Sequence, residues 1–88
     1  MKDQRYYAIK SLIETDKLHS LIDVFKIIPL TIVRSDMHAN YTTLRKRIIS
    51  SANITVNDIK QMSELFDVDP GEILKLALND YKLNSNHK

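Results

Sequence analysis

The sequence predicts an all-α domain of five or six helices, and three observations carry that prediction. Apolar residues recur three or four positions apart along most of the chain, which is the spacing of one helix face. The 88 residues include one glycine and two prolines, too few turn formers for a fold built on hairpins. Residues suited to helix caps stand ahead of most of the periodic stretches.

From residue 4 to 15, Tyr6, Ile9, Leu12 and Ile13 keep helical spacing behind Asp3, a candidate N-cap. Leu18, Leu21, Ile22, Phe25 and Ile28 continue the pattern. Between them Thr15-Asp16 reads either as a break with a new cap or as a polar patch in one long helix. Pro29 marks a boundary, because it pushes Ile28 away from helical angles and itself suits the opening turn of the next helix. A helix of about two turns over 30–37 aligns Leu30, Val33 and Met37. Asn40 then caps a second short helix over 41–49, with Leu44 and Ile48 on one side. Residues 50–54 form a polar loop. Thr55 and Asp58 stand at capping-box spacing, aspartate replacing the usual glutamate, ahead of a helix that turns Ile59, Met62, Leu65 and Phe66 inward. Asp69-Pro70-Gly71-Glu72 is the strongest start signal, with a cap, a proline at the first helical position and an acid at the third. The last helix is expected over 70–81, burying Ile73, Leu74, Ala77, Leu78 and Tyr81 and leaving Leu76 exposed. Residues 82–88 lack apolar periodicity and read as a flexible tail, so 1–81 form one domain.

Composition narrows the function. Without cysteine the chain has neither disulfides nor thiolate metal ligands, which fits a reducing compartment. No apolar run approaches a membrane span and the N-terminus lacks the core of a signal peptide, so the expected location is the cytoplasm. His19, His38 and His87 fall on different elements, and neither a glycine-rich loop nor a nucleophile elbow nor paired inward carboxylates occur. The chain is not expected to be an enzyme or to hold a cofactor or metal. Net charge is +2 but unevenly spread. Between 30 and 53, Arg34, Arg45, Lys46 and Arg47 stand against Asp36 alone; between 54 and 74, Asp58, Glu64, Asp67, Asp69 and Glu72 outweigh Lys60. By charge alone this is equally a solvated surface.

The basic stretch gains meaning from where it lies. Residues 30–49 read as a helix-turn-helix: Val33, Met37, Ala39, Leu44 and Ile48 supply the small shared core that two steeply crossed helices need. At about 100° per residue, Thr42, Arg45, Lys46 and Ile49 then cluster on the opposite side of the second helix, with Thr43 and Arg47 at its margins. A helix entering a major groove needs long donors for guanine edges and phosphates, and short hydroxyls where it approaches closely. Arg45, Lys46, Thr42 and Thr43 are those types. Asn40 is fully explained as a cap, which does not exclude a phosphate contact. Tyr41 either packs against the preceding helix or faces outward.

The run from Thr31 to Ile48, followed by Ile54-Thr55 and the helix from Ile59 to Phe66, resembles the Cro/C1-type (lambda-repressor-like) DNA-binding domain, in particular the small glycine-poor versions with an Ile-Pro step before the motif. Three positions depart from the family pattern: His38 stands where a left-handed glycine is usual, Arg34 where alanine is usual, and Leu30 where a glutamine often opens the motif. The resemblance implies that Asn40, Tyr41, Thr42, Arg45 and Lys46 face DNA, with Thr43 near the backbone. It also sets the loop of Ser50, Ser51, Ala52 and Asn53 beside the same strand, where amides and hydroxyls can meet phosphate. Arg47, at the margin, is expected on phosphate.

The resulting expectation is a sequence-specific, double-stranded-DNA-binding transcriptional regulator, a repressor, acting as a homodimer through its last helix with Leu76 at the interface. The alternatives are an antitoxin using the same DNA face, and a helical protein-interaction module whose basic helix enters an acidic groove.

Overall fold

The computed structural model describes residues 3–85. Residues 86–88, the end of the expected tail, lie outside the described residues, and His87 with them. The order is α1 (Arg5–Glu14), α2 (Leu21–Ile27), α3 (Leu30–Asp36), α4 (Tyr41–Ile49), a 3-10 turn (Ser51–Asn53), α5 (Val56–Phe66) and α6 (Pro70–Ser85). The architecture is all-α with six helices, and the described residues include no strand.

Thr15-Asp16 is a break. Glu14 ends α1, Asp16 turns left-handed (φ 59°), and the amides of Asp16 and Lys17 reach back to the carbonyls of Ile13 and Leu12. The new cap is neither of those residues but Ser20, whose hydroxyl accepts the Asp23 amide. Asp3 acts one position earlier than a regular cap: Gln4 holds the N-cap place, while the Asp3 carboxylate accepts the Arg5 amide and pairs with its guanidinium at 2.8 Å. These contacts hold Asp3 at about 2, below its ordinary pKa. Pro29 occupies the N-cap of α3 with extended angles.

Three helices end alike. After α1, α3 and α5 the chain enters a left-handed residue, respectively Asp16, His38 and Asp67, and an amide one position further returns to a carbonyl five residues back. This closes orphan carbonyls of the last turn. Glycine is the usual occupant, yet Gly71, the one glycine, sits in the first turn of α6 with its amide on Asp69 Oδ1 at 2.8 Å.

The core runs through every helix: Tyr6, Ile9 and Ile13 from α1, Leu21 and Val24 from α2, Val33, Leu44 and Ile48 from the central pair, Met62 and Phe66 from α5, and Ile73, Leu76 and Ala77 from α6. Helix α6 lies against α5, α2 and the 3-10 turn; α1 lies against α5 and α2; α4 is seated on α3 and α2. Helix α6 departs from expectation in two ways. It continues to Ser85 rather than stopping near Tyr81, because 82–85 contain no glycine or proline and each further residue adds a helical hydrogen bond. Its inner face is also rotated: Leu76 is buried, whereas Leu74, Leu78 and Tyr81 are each nearly half exposed. Asp80, a buried carboxylate on the same face as Ile73, Leu76 and Ala77, accepts the Leu21 amide at 2.8 Å and fastens that face to the start of α2.

Candidate nucleic-acid interface

The central pair is held by local chemistry at each joint. Helix α3 ends at Asp36, His38 takes φ 55°, and the Ala39 amide closes on the Arg34 carbonyl at 2.9 Å. Four residues thus join α3 to α4. Asn40 then caps α4, its Oδ1 accepting the Thr43 amide at 3.1 Å. Val33, Met37, Leu44 and Ile48 are buried and Ala39 packs against them, the small shared core the sequence predicts. Arg34 needs no inward space: it points outward, since Val33 is the buried residue of that turn. The joint is tied to α1 by Tyr6, whose hydroxyl donates to Asp36 Oδ2 at 2.6 Å and whose ring meets Phe66 with centroids 5.6 Å apart. Burial first, and the Asp36 carboxylate second, push the Tyr6 phenol far above its ordinary pKa, so it remains a hydrogen-bond donor.

The outer side of α4 carries Tyr41, Thr42, Thr43, Arg45, Lys46 and Ile49, all exposed. Tyr41 therefore faces outward and is not core. Among the described residues, Arg34, Arg45 and Lys46 form no ion pair. Ser50 follows α4 as its C-cap and is exposed, as is Asn53; with Ser51 they belong to the chain that leaves α4 through the 3-10 turn.

Arg47 is different. Its Nη1 lies 3.2 Å from both carboxylate oxygens of Asp58, whose side chain is only 5% exposed. Asp58 also accepts the Thr55 amide, while its own amide donates to Thr55 Oγ1, which completes the capping box of α5. One carboxylate thus caps α5 and anchors α4. Arg47, expected at the margin on phosphate, stands in the structure as a strut between two helices, held by the buried acid eleven positions away.

Beside α4 lies a crevice of about 220 Å³ whose lining includes His38, Asn40, Thr43, Arg47, Asn57 and Gln61. Its amides and the Thr43 hydroxyl can donate to phosphate oxygens or bound water, beside the Asp58 carboxylate that Arg47 neutralises. Asn57 and Gln61 escape a reading of the sequence centred on 30–53. Their four-residue spacing on the polar side of α5 is the signal that points to them.

A group of acidic side chains drawn from both ends of the chain lies elsewhere. Glu14, Asp16, Asp69 and Glu72 line a cleft of about 380 Å³ between the end of α1 and the start of α6, with Lys75 bridging to Asp16 at 3.4 Å. The described residues include no His, Cys, Asp and Glu group able to hold a metal ion, and no helix long and apolar enough to cross a membrane. No protein-family model, curated protein or solved structure gives a significant match to the chain.

Proposed function

We propose that the protein binds duplex DNA by inserting α4 into the major groove, and that it acts there as a transcriptional regulator. The observation that carries this reading is a contrast within three consecutive cations. Arg47 is neutralised by Asp58, whereas Arg45 and Lys46 stand exposed, with no ion pair among the described residues, on the outer face of a capped helix that a tight turn presents. A run serving only solubility has no need of that division. Thr42 and Thr43 provide short hydroxyls on the same side, and Asn40, Asn57 and Gln61 provide flanking donors for phosphate.

Selection from random duplexes, followed by titration at two salt concentrations, tests the reading. Arg45 carries a forked donor suited to guanine, so Arg45→Ala is expected to cost about 1–3 kcal/mol at the selected site and to relax preference at one base pair, with less effect on nonspecific binding. Binding should weaken steeply with salt as counterions are released. Absence of any selected site, or an Arg45→Ala variant that binds its site as tightly as the parent, overturns the assignment of α4 to the groove.

A further inference from the structure

Ile49 is the aliphatic member of the outer side of α4, and it is 51% exposed. Its place is fixed from both sides: Ile48 before it is buried, and the Ser50 amide after it closes the last turn on the Lys46 carbonyl at 2.9 Å. The side chain stands one helical turn beyond Arg45 and two beyond Thr42, in a single row down the helix, with Lys46 flanking that row. It lines neither the crevice beside α4 nor the acidic cleft. A surface built only to attract phosphate gains from another cation here, and an aliphatic group gives that attraction up.

We infer that Ile49 selects a thymine by covering its C5 methyl group, within about two base pairs of the base that Arg45 meets; this rests on α4 entering the major groove. In that groove thymine presents an acceptor and a methyl group, whereas cytosine presents an amino donor. An aliphatic side chain can therefore prefer one pyrimidine to the other without a hydrogen bond of its own. The distance follows from the helix. Four residues rise about 6 Å, against about 3.4 Å per base step, so a side chain one turn beyond Arg45 lies about two steps away. Isoleucine also suits the task because β-branching holds it close to one rotamer in a helix, and pressing it on a methyl group costs less entropy than ordering the long cations beside it. Arg45 and Lys46 supply attraction, and Arg45 a guanine preference; Ile49 adds an apolar discrimination that neither cation makes.

The test removes the methyl group from the DNA and the side chain from the protein. Each thymine of the duplex selected from random sequence is replaced in turn by deoxyuridine, which keeps the hydrogen-bonding edge and lacks the methyl group. One replacement, near the position where Arg45→Ala relaxes preference, is expected to weaken binding of the parent about fourfold, the factor that burial of one methyl group supplies. Ile49→Ala should bind the thymine and deoxyuridine duplexes equally there. Ile49→Val, which keeps the branch, should retain most of the preference, and Tyr7→Ala, on an exposed tyrosine of α1, all of it. A side chain that merely steadied α4 would change affinity for both duplexes alike and leave the methyl preference intact. Should Ile49→Ala fail to fold, Ile49→Gln makes the same measurement with a good helix former at this half-exposed place. A methyl preference that survives loss of Ile49, or a selected duplex indifferent to every deoxyuridine within about two base pairs of the Arg45 contact, overturns this inference and leaves α4 in the groove. Failure to select any duplex overturns both.

Discussion

Replacing Arg47 by alanine tests whether α4 is held from behind. In the intact protein the guanidinium is about one-third exposed and faces a carboxylate that is almost wholly enclosed. Removing it leaves Asp58 with the Thr55 amide and without a counter-charge. An exposed ion pair contributes about 0–1 kcal/mol, and breaking a fully buried one costs about 3–5 kcal/mol. The Arg47–Asp58 pair lies between these limits, because water enters the space the long side chain vacates. The expected loss is about 1–2 kcal/mol, a drop of roughly 4–16 °C in Tm for a domain of this size. Asp58→Ala removes the pair and the capping box together and should cost about 2–3 kcal/mol. The double variant should lose little beyond Asp58→Ala alone, since the partner of Arg47 is already gone. Arg45→Ala, whose side chain is exposed, should stay within about 0.5 kcal/mol of the parent and serves as the control. Urea denaturation followed by circular dichroism measures all four. If Arg47→Ala unfolds at the parent's midpoint, or if the two losses simply add, the strut does not exist in solution.

Three further outcomes are expected. His38→Gly should raise stability by up to about 1 kcal/mol, because relief at φ 55° exceeds the added freedom of the unfolded chain; a lower Tm refutes this and assigns the imidazole a contact. Leu76→Ala should cost about 2–5 kcal/mol and Leu74→Ala far less in the monomer, reversing the order expected from the sequence; equal losses would return the buried face of α6 to Leu74. Asp80 has a pKa raised by burial, against the lowering effect of hydrogen bonds from the Leu21 amide, the Ser20 hydroxyl and the Ile22 amide. A carboxyl raised in the folded state contributes stability below its unfolded pKa and loses it as pH climbs through the folded value. Asp80→Asn, which keeps an acceptor for the Leu21 amide, should therefore gain on the parent as pH rises from 3 to 7, and a flat difference over that window refutes the assignment.

Legibility followed sequence distance. The cap at Asn40, the Thr55–Asp58 box and the Asp69–Pro70 start are complete within four residues, so the local chain displays both partners. Ser20 was equally local, with Asp23 at box spacing behind it, but Thr15-Asp16 offered an earlier competing cap. Helix α6 was misread for a different reason. It is apolar on two sides, and the side turned inward contains Asp80, which counts as polar in any periodicity. Only its partner at the start of α2, far away in the sequence, explains its burial. The outward set Thr42, Thr43, Arg45 and Lys46 was readable from helical geometry alone. Arg47 was not, because at the margin of a helix the neighbouring element decides between solvent and strut.

The bond from the Leu21 amide to Asp80 spans 59 positions, and Asn79 Nδ2 adds a second to the His19 carbonyl at 2.8 Å across 60. Helix α2 has seven residues, too few to persist unaided, and its start is completed by groups 59 and 60 positions further along the chain. Closing so long a loop precedes any gain from those bonds. Consolidation of α2, and with it the bed on which α4 rests, is therefore a late event that waits for α6 to dock. The Leu21 amide should exchange with solvent only as fast as the whole domain opens, not at the rate of a fraying helix end. A nascent chain stopped before residue 79 would carry every residue of the basic face and still lack the means to hold it in place.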